Sequence, residues 1–232
     1  MQRILLKLSG EALAGEKKTG FDEETVTQVA KQVKTIVDGG TQVSILIGGG
    51  NFWRGRTSET IDRTKADQIG MLATVMNCIY VSEIFRSVGM KTAVMTPFEC
   101  GSMTKLFSKD RANKYFGKGM VCFFAGGTGH PYFSTDTTSV LRALEIGADT
   151  ILMAKNGTDG VYDSDPRKNP NAKRYDKITY DEILKNHLCV MDLTAAALCN
   201  DNNISIVVFD MGVSGNIKKV ITNPEIGTII TE

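Results

Sequence analysis

The sequence predicts an α/β fold on a mainly parallel sheet, and three observations predict it. Short apolar runs recur along the chain, each about the length of a buried strand. Between them lie stretches whose apolar residues repeat at helical spacing, so strands alternate with helices. Several runs end in glycine turns, and in a parallel sheet such turns gather beyond the carboxyl ends of the strands, where ligands bind. At 232 residues, 42% of them hydrophobic, the chain can bury a substantial core.

Taken in order, Arg3 to Leu8 is an apolar run containing Lys7 and ending at Ser9-Gly10, a buried strand leading into a tight loop. Val26, Val29, Ala30, Val33, Ile36 and Val37 then repeat at helical spacing, with Asp22, Glu23 and Glu24 before them and Gly39-Gly40 after. Val43 to Ile47 is a second buried strand, running into Gly48-Gly49-Gly50-Asn51. Ala66 to Arg86 reads as a long helix whose centre, Ile69 to Val81, is apolar on nearly every face. Such a helix belongs to the core or to a subunit interface. The alternation continues with strand Lys91 to Met95, a helix around Lys105 to Phe116, strand Met120 to Phe124 and a glycine-rich turn. Helix Thr135 to Ile146 and strand Thr150 to Met153 follow, then a turn at Asn156 to Gly160. The chain closes with a helix over Met191 to Cys199 and strands over Ile204 to Phe209 and Ile226 to Ile230.

Composition narrows the function. With 27 basic against 26 acidic residues the net charge is +1, which argues against a dedicated nucleic-acid or membrane-surface partner. No uninterrupted apolar run reaches the roughly 18 residues of a membrane span, and no signal-peptide pattern follows Met1. A cytoplasmic globular protein is expected. The five cysteines (Cys78, Cys100, Cys122, Cys189, Cys199) form no C-x-x-C pair, and most read as small buried hydrophobes. With only His130 and His187 besides, far apart in the sequence, no histidine or cysteine metal site is expected.

Four turns follow four strands: Ser9-Gly10, Gly48-Gly49-Gly50, Gly126-Gly127-Thr128-Gly129 and Asn156-Gly157. Glycine lets backbone N–H groups approach an oxyanion closely, so the set points to a phosphate-rich ligand. The dinucleotide pattern G-x-G-x-x-G is absent, and Gly10 to Thr19 fails as a P-loop because Glu16 stands where that motif needs lysine. Lys7 is the sharper signal. An ammonium within a buried strand is costly unless it has a task, so Lys7 either takes an edge or solvent-facing position or is aimed at phosphates passing between two nucleotides. Arg54, just past the triple glycine, would add a second cation, and Asp136, at a helix start, would orient Lys7 or hold Mg²⁺.

These residues also fall into a known arrangement. Lys7-Leu8-Ser9-Gly10-Glu11-Ala12-Leu13, Gly48 to Asn51, Asp67, Gly70 to Asn77, Gly127 to Asp136, Asp159 to Tyr162 and Gly227 to Glu232 stand in the order and near the spacing of the bacterial UMP kinases, which this chain resembles from about residue 3 to its end. The stretch Gly70 to Asn77 resembles the UMP kinases rather than the wider amino acid kinase superfamily. The resemblance implies one domain over 1–232, a three-layer α/β/α sandwich, and transfer of the ATP γ-phosphoryl group to UMP with Mg²⁺. It implies that Lys7, Leu8, Ser9 and Gly10 contact the ATP phosphates, with Gly50 and Arg54 at the transfer point and Asn156, Tyr162 and Asp165 on the adenosine side. It places UMP against Gly49, Asp67 and Thr128, Gly129, His130, Pro131, Tyr132, Phe133, Ser134 and Thr135. It further implies a homohexamer built from dimers, GTP as activator with Gly15, Glu16, Lys17, Lys18, Thr19 and Gly20 as the responding segment, and UTP as inhibitor. Two departures stand out: His130 replaces an asparagine of many relatives, and Gly15 to Gly20 is a variable segment.

The acceptor phosphate is already ionised at neutral pH, so no general base is required and the work is positioning plus charge stabilisation. Asp67 would accept from a ribose hydroxyl, while Thr128 and Thr135 would pair with the uracil edge. Two alternatives share parts of this pattern. A sister kinase acting on a carboxylate or carbamate would keep the sheet, Lys7 and the turns, but the Asp67 to Asn77 segment favours a nucleotide acceptor. A non-catalytic nucleotide sensor need not keep Lys7, Arg54 and Asp136 together.

Overall fold

The structure, a computed structural model, describes residues 1–53, 60–188 and 190–232. Arg54 and Cys189 lie outside the described residues. Six strands match the expected runs: β1 (Arg3–Leu8), β2 (Gln42–Ile47), β3 (Lys91–Thr96), β5 (Met120–Phe124), β6 (Thr150–Lys155) and β10 (Ser205–Asp210). With β4 (Lys105–Leu106), β9 (Lys177–Thr179) and β11 (Thr228–Thr231) they form one sheet among the described residues, in the order β4-β3-β5-β2-β1-β6-β10-β11-β9. Every pairing is parallel except β10 with β11. A two-stranded antiparallel ribbon, β7 (Val161–Tyr162) with β8 (Arg174–Tyr175), stands apart.

Alternation along β1 assigns the layers. Ile4, Leu6 and Leu8 enter one core with residues of α2 (Glu23–Asp38), α3 (Arg63–Ser87) and α8 (Asn216–Thr222). Leu5 enters the other, with residues of α4 (Lys109–Phe116), α5 (Thr135–Ile146), α6 (Tyr180–Lys185) and α7 (Leu193–Asn202). The result is a three-layer α/β/α sandwich, as expected. Cys78, Cys122 and Cys199 are buried within it, and burial pushes each thiol up to about 12.

Several boundaries differ from the sequence reading. The helix expected from Lys105 begins four residues later, because Lys105 and Leu106 pair with Met95 and Thr96 and Ser108 then caps α4 by accepting from Arg111 N. The loop expected at Ser9-Gly10 is instead the start of a one-turn helix, α1 (Gly10–Leu13). The closing strand starts at Thr228 after a short 3₁₀ turn at Pro224–Ile226. Helix α6 was missed although its capping box, Thr179 with Glu182, is written in the sequence. By length and composition α3 could cross a membrane, an apolar character spread across polar interruptions. In the fold it buries Ala73, Val75, Cys78, Val81 and Phe85 and leaves Ile69, Leu72 and Met76 exposed.

Candidate active site

Strand order reverses at β1, which has β2 on one side and β6 on the other, so the crevice beyond these carboxyl ends is where an open α/β sheet binds ligands. Lys7 stands there. It leaves β1 on the α5 side of the sheet, and its Nζ donates to Asp136 Oδ1 at 2.6 Å in the first turn of α5. Ser134 caps that helix, accepting from Asp136 N and Thr137 N at 3.0 and 3.1 Å. Asp192 holds the cap in turn, accepting from Ser134 Oγ and from Thr137 Oγ1, and it caps α7 by accepting from Ala195 N at 2.8 Å. One carboxylate therefore fixes two helix starts at the cavity wall.

The glycine loops meet behind Lys7. Asn51 and Asn77 are both buried and exchange amide hydrogen bonds at 3.0 and 2.8 Å, while Asn77 Nδ2 also donates to Gly48 O at 2.7 Å. A Cβ at Gly10 would collide with the Gly48 carbonyl and meet Asn77 Nδ2 at 2.9 Å, so only glycine fits where the two loops cross. Leu8 is fully buried, which leaves its backbone alone to face the loops. Gly126 takes φ +79° over Phe98 and donates to Thr74 Oγ1 at 2.8 Å, tying the third glycine turn to α3.

Two cavities open on this edge. The first, about 560 Å³, is lined by Lys7, Gly49, Asp67, His130, Phe133, Ser134, Thr135 and Asp136 among the residues singled out from the sequence. Gly70, Met71 and Thr74, from the stretch Gly70 to Asn77, line it as well, and so do Trp53 and Asp192, to which the sequence assigned no role because each owes its place to long-range packing. Thr128, Gly129, Pro131 and Tyr132 form the outer turns of the loop rather than the lining. Asp67 is already engaged: it accepts from Arg63 Nε at 2.9 Å and from Tyr132 N at 2.8 Å, latching that loop to α3. The second cavity, about 600 Å³, is lined by Lys155, Gly160, Tyr162 and Asp165. Tyr162 donates to Asp159 at 2.6 Å, and Asp165 accepts from Arg167 N at 3.0 Å. Asn156 is exposed in the turn after β6, outside that lining. Gly15 to Gly20 lies outside both linings, its first part a short 3₁₀ turn over Gly15–Lys17.

This arrangement has counterparts. A model of the amino acid kinase family matches residues 2–210. The chain belongs to the amino acid kinase family. A uridylate kinase of Streptococcus thermophilus is 48% identical over 232 residues, covering 99% of this chain and 95% of the relative, and that of a second strain agrees to the same extent. Among solved structures, the UMP kinase of Bacillus anthracis superposes with a TM-score of 0.95 at 37% identity, covering 99% of this chain and 96% of the other. The UMP kinase of Ureaplasma parvum gives 0.95 at 38% identity, with 100% and 99% covered. For an amino acid kinase fold, two adjoining cavities that share Val190, the first of them lined by Lys7, can hold a phosphoryl donor and an acceptor end to end.

Proposed function

We propose that this chain is a UMP kinase, transferring the γ-phosphoryl group of ATP to UMP to give UDP and ADP. One observation carries the reading: Lys7, held by Asp136, is the penultimate residue of β1 and lines one of two adjoining cavities, each of a size that takes a nucleotide. The names of the relatives, and their near-complete coverage of the chain, support uridylate as acceptor. In this reading UMP occupies the first cavity, against Gly49, Asp67 and the Thr128 to Thr135 loop. ATP lies toward Tyr162, Asp165 and Asn156, its phosphates reaching Lys7, Ser9, Gly10, Gly50 and Arg54.

The acceptor phosphate needs no proton removed, so the chain's task is to overcome repulsion between two polyanions. Lys7 supplies fixed positive charge where charge develops, and Asp136 holds its ammonium in place. Among the described residues no group of three or more His, Cys, Asp or Glu side chains is arranged to hold a metal ion. The divalent ion would enter with ATP as MgATP and neutralise phosphate charge there.

The same reading extends to a cytoplasmic homohexamer built from dimers, activated by GTP and inhibited by UTP. What supports the dimer is the exposed stripe Ile69, Leu72 and Met76 on α3. A coupled ADP-release assay with UMP, CMP, acetylglutamate or no acceptor tests the function. We expect UMP to outpace every other acceptor at least about tenfold; faster turnover with acetylglutamate, or none with UMP, would overturn it.

A further inference from the structure

Lys155 ends β6 and belongs to none of the motifs described above. Lys7 pairs in register with Met153, and residues two apart on a strand share a face, so Lys7 and Lys155 leave the sheet on the same side. Leu5 and Met153, in the core under α5 and α7, identify that side. Neighbouring strands lie about 4.8 Å apart and rise about 3.3 Å per residue, so the two lysines stand one strand across and one pleat repeat along from each other. Both occupy the crevice where strand order reverses.

Lys155 Nζ donates to the Val190 carbonyl at 2.9 Å. Burial pushes its pKa below the ordinary lysine value, the positive charge of Lys7 pushes it further, and Asp136 opposes both. Lys155 lines the second cavity, Lys7 lines the first, and Val190 lines both. Two ammonium groups close enough to repel, in a partly dry crevice between two cavities, are arranged for an anion that both can share.

We propose that Lys155 is a second phosphate-binding cation of the transfer reaction, facing the β,γ-bridging oxygen of ATP from the second cavity while Lys7 faces the γ-phosphoryl group from the first. The proposal rests on the UMP kinase reading. In the step, an oxygen of the UMP phosphate bonds to the γ-phosphorus as the bond from that phosphorus to the bridging oxygen breaks, the electron pair staying on ADP. Lys155 offsets the charge that gathers on this leaving oxygen and transfers no proton. An ammonium has three donors, so it can keep its bond to Val190 while another turns to phosphate.

The variant K155Q separates this role from a structural one, because an amide still donates to the Val190 carbonyl but carries no charge. We expect K155Q to raise the KM for ATP roughly tenfold and to lower kcat about as much, with K155R restoring part of both. UMP affinity, read from the fluorescence of Trp53 in the first cavity, should stay within about twofold. Parental KM and kcat in K155Q would overturn the proposal. A measurement on the parent chain covers the case of a variant that does not fold: MgATP, but not UMP, should slow acylation of Lys155, followed by peptide mass spectrometry. Equal acylation with and without MgATP would also overturn it. A parent chain that binds ATP through Lys155 but does not turn it over with UMP would sink the kinase reading instead, so the two failures are distinguishable.

Discussion

The two cavities on the functional edge are built in different ways. The first is framed by bonds between residues far apart in the chain: Asp67 with Tyr132 across 65 residues, Thr74 with Gly126 across 52, Ser134 with Asp192 across 58. The second is framed largely by neighbours, with Tyr162 on Asp159 across 3 residues, Arg167 on Asp165 across 2, and Arg174 on Asp159 across 15. It is tied to the sheet at Val161 N, which donates to Thr228 Oγ1, and at Gly157 N, which donates to Asp210. Long-range bonds break only when whole elements separate, whereas local ones open with their own turn. The first cavity is therefore expected to be the stiff one, suited to choosing an acceptor by hydrogen bonds that a wrong base would leave unmade. The second, held at fewer such points along its local turns, is expected to adjust more around its ligand.

Three substitutions sharpen or break this contrast. The largest effect is expected at the junction: Lys7→Ala should lower turnover at least about a hundredfold, the usual cost of removing one transition-state electrostatic contact. UMP affinity measured by Trp53 fluorescence should hardly change, and near-normal turnover would remove Lys7 from the chemistry. In the stiff cavity, Asp67→Asn keeps one accepting oxygen but loses the charge that pairs with Arg63. It should weaken UMP roughly tenfold, about 1.4 kcal/mol, and ATP much less. Equal losses in titrations of the two nucleotides would refute the division between cavities. The smallest effect belongs to the adjustable cavity, where Tyr162→Phe removes only the bond to Asp159. The KM for ATP should shift by less than about threefold, since a single part-exposed hydrogen bond contributes little net free energy. A tenfold rise would show that this turn is as stiff as the other.

Much of this architecture is legible without coordinates. The buried strands announce themselves as apolar runs, because parallel strands covered on both faces need no polar alternation. Helices α2 and α5 carry their starts in Asp22 and Ser134 and their stops in Gly39 and Gly147. Lys7 stands out as a charge among Ile4, Leu5, Leu6 and Leu8. The two-residue strands β4, β7 and β8 are too short to show any period, and only pairing partners distant in sequence or across a turn define them. Lys155 escaped notice for a related reason. As the last residue of a strand before a turn it looks like an ordinary solvent-facing lysine until β6 is set beside β1.

The amino-acid order by itself settled the alternation of strands and helices, the glycine turns and the lysine in the first strand, since burial and backbone freedom are properties of residues and their spacing. Folding settled which of those pieces meet. The pairing of β1 with β6 brings Lys7 and Lys155 to one crevice, Asp192 reaches the cap of α5, and Asn77 reaches Gly48. Each of these contacts joins segments separated by tens of residues, and only the packing of helices on both faces of one sheet brings such segments within hydrogen-bond distance.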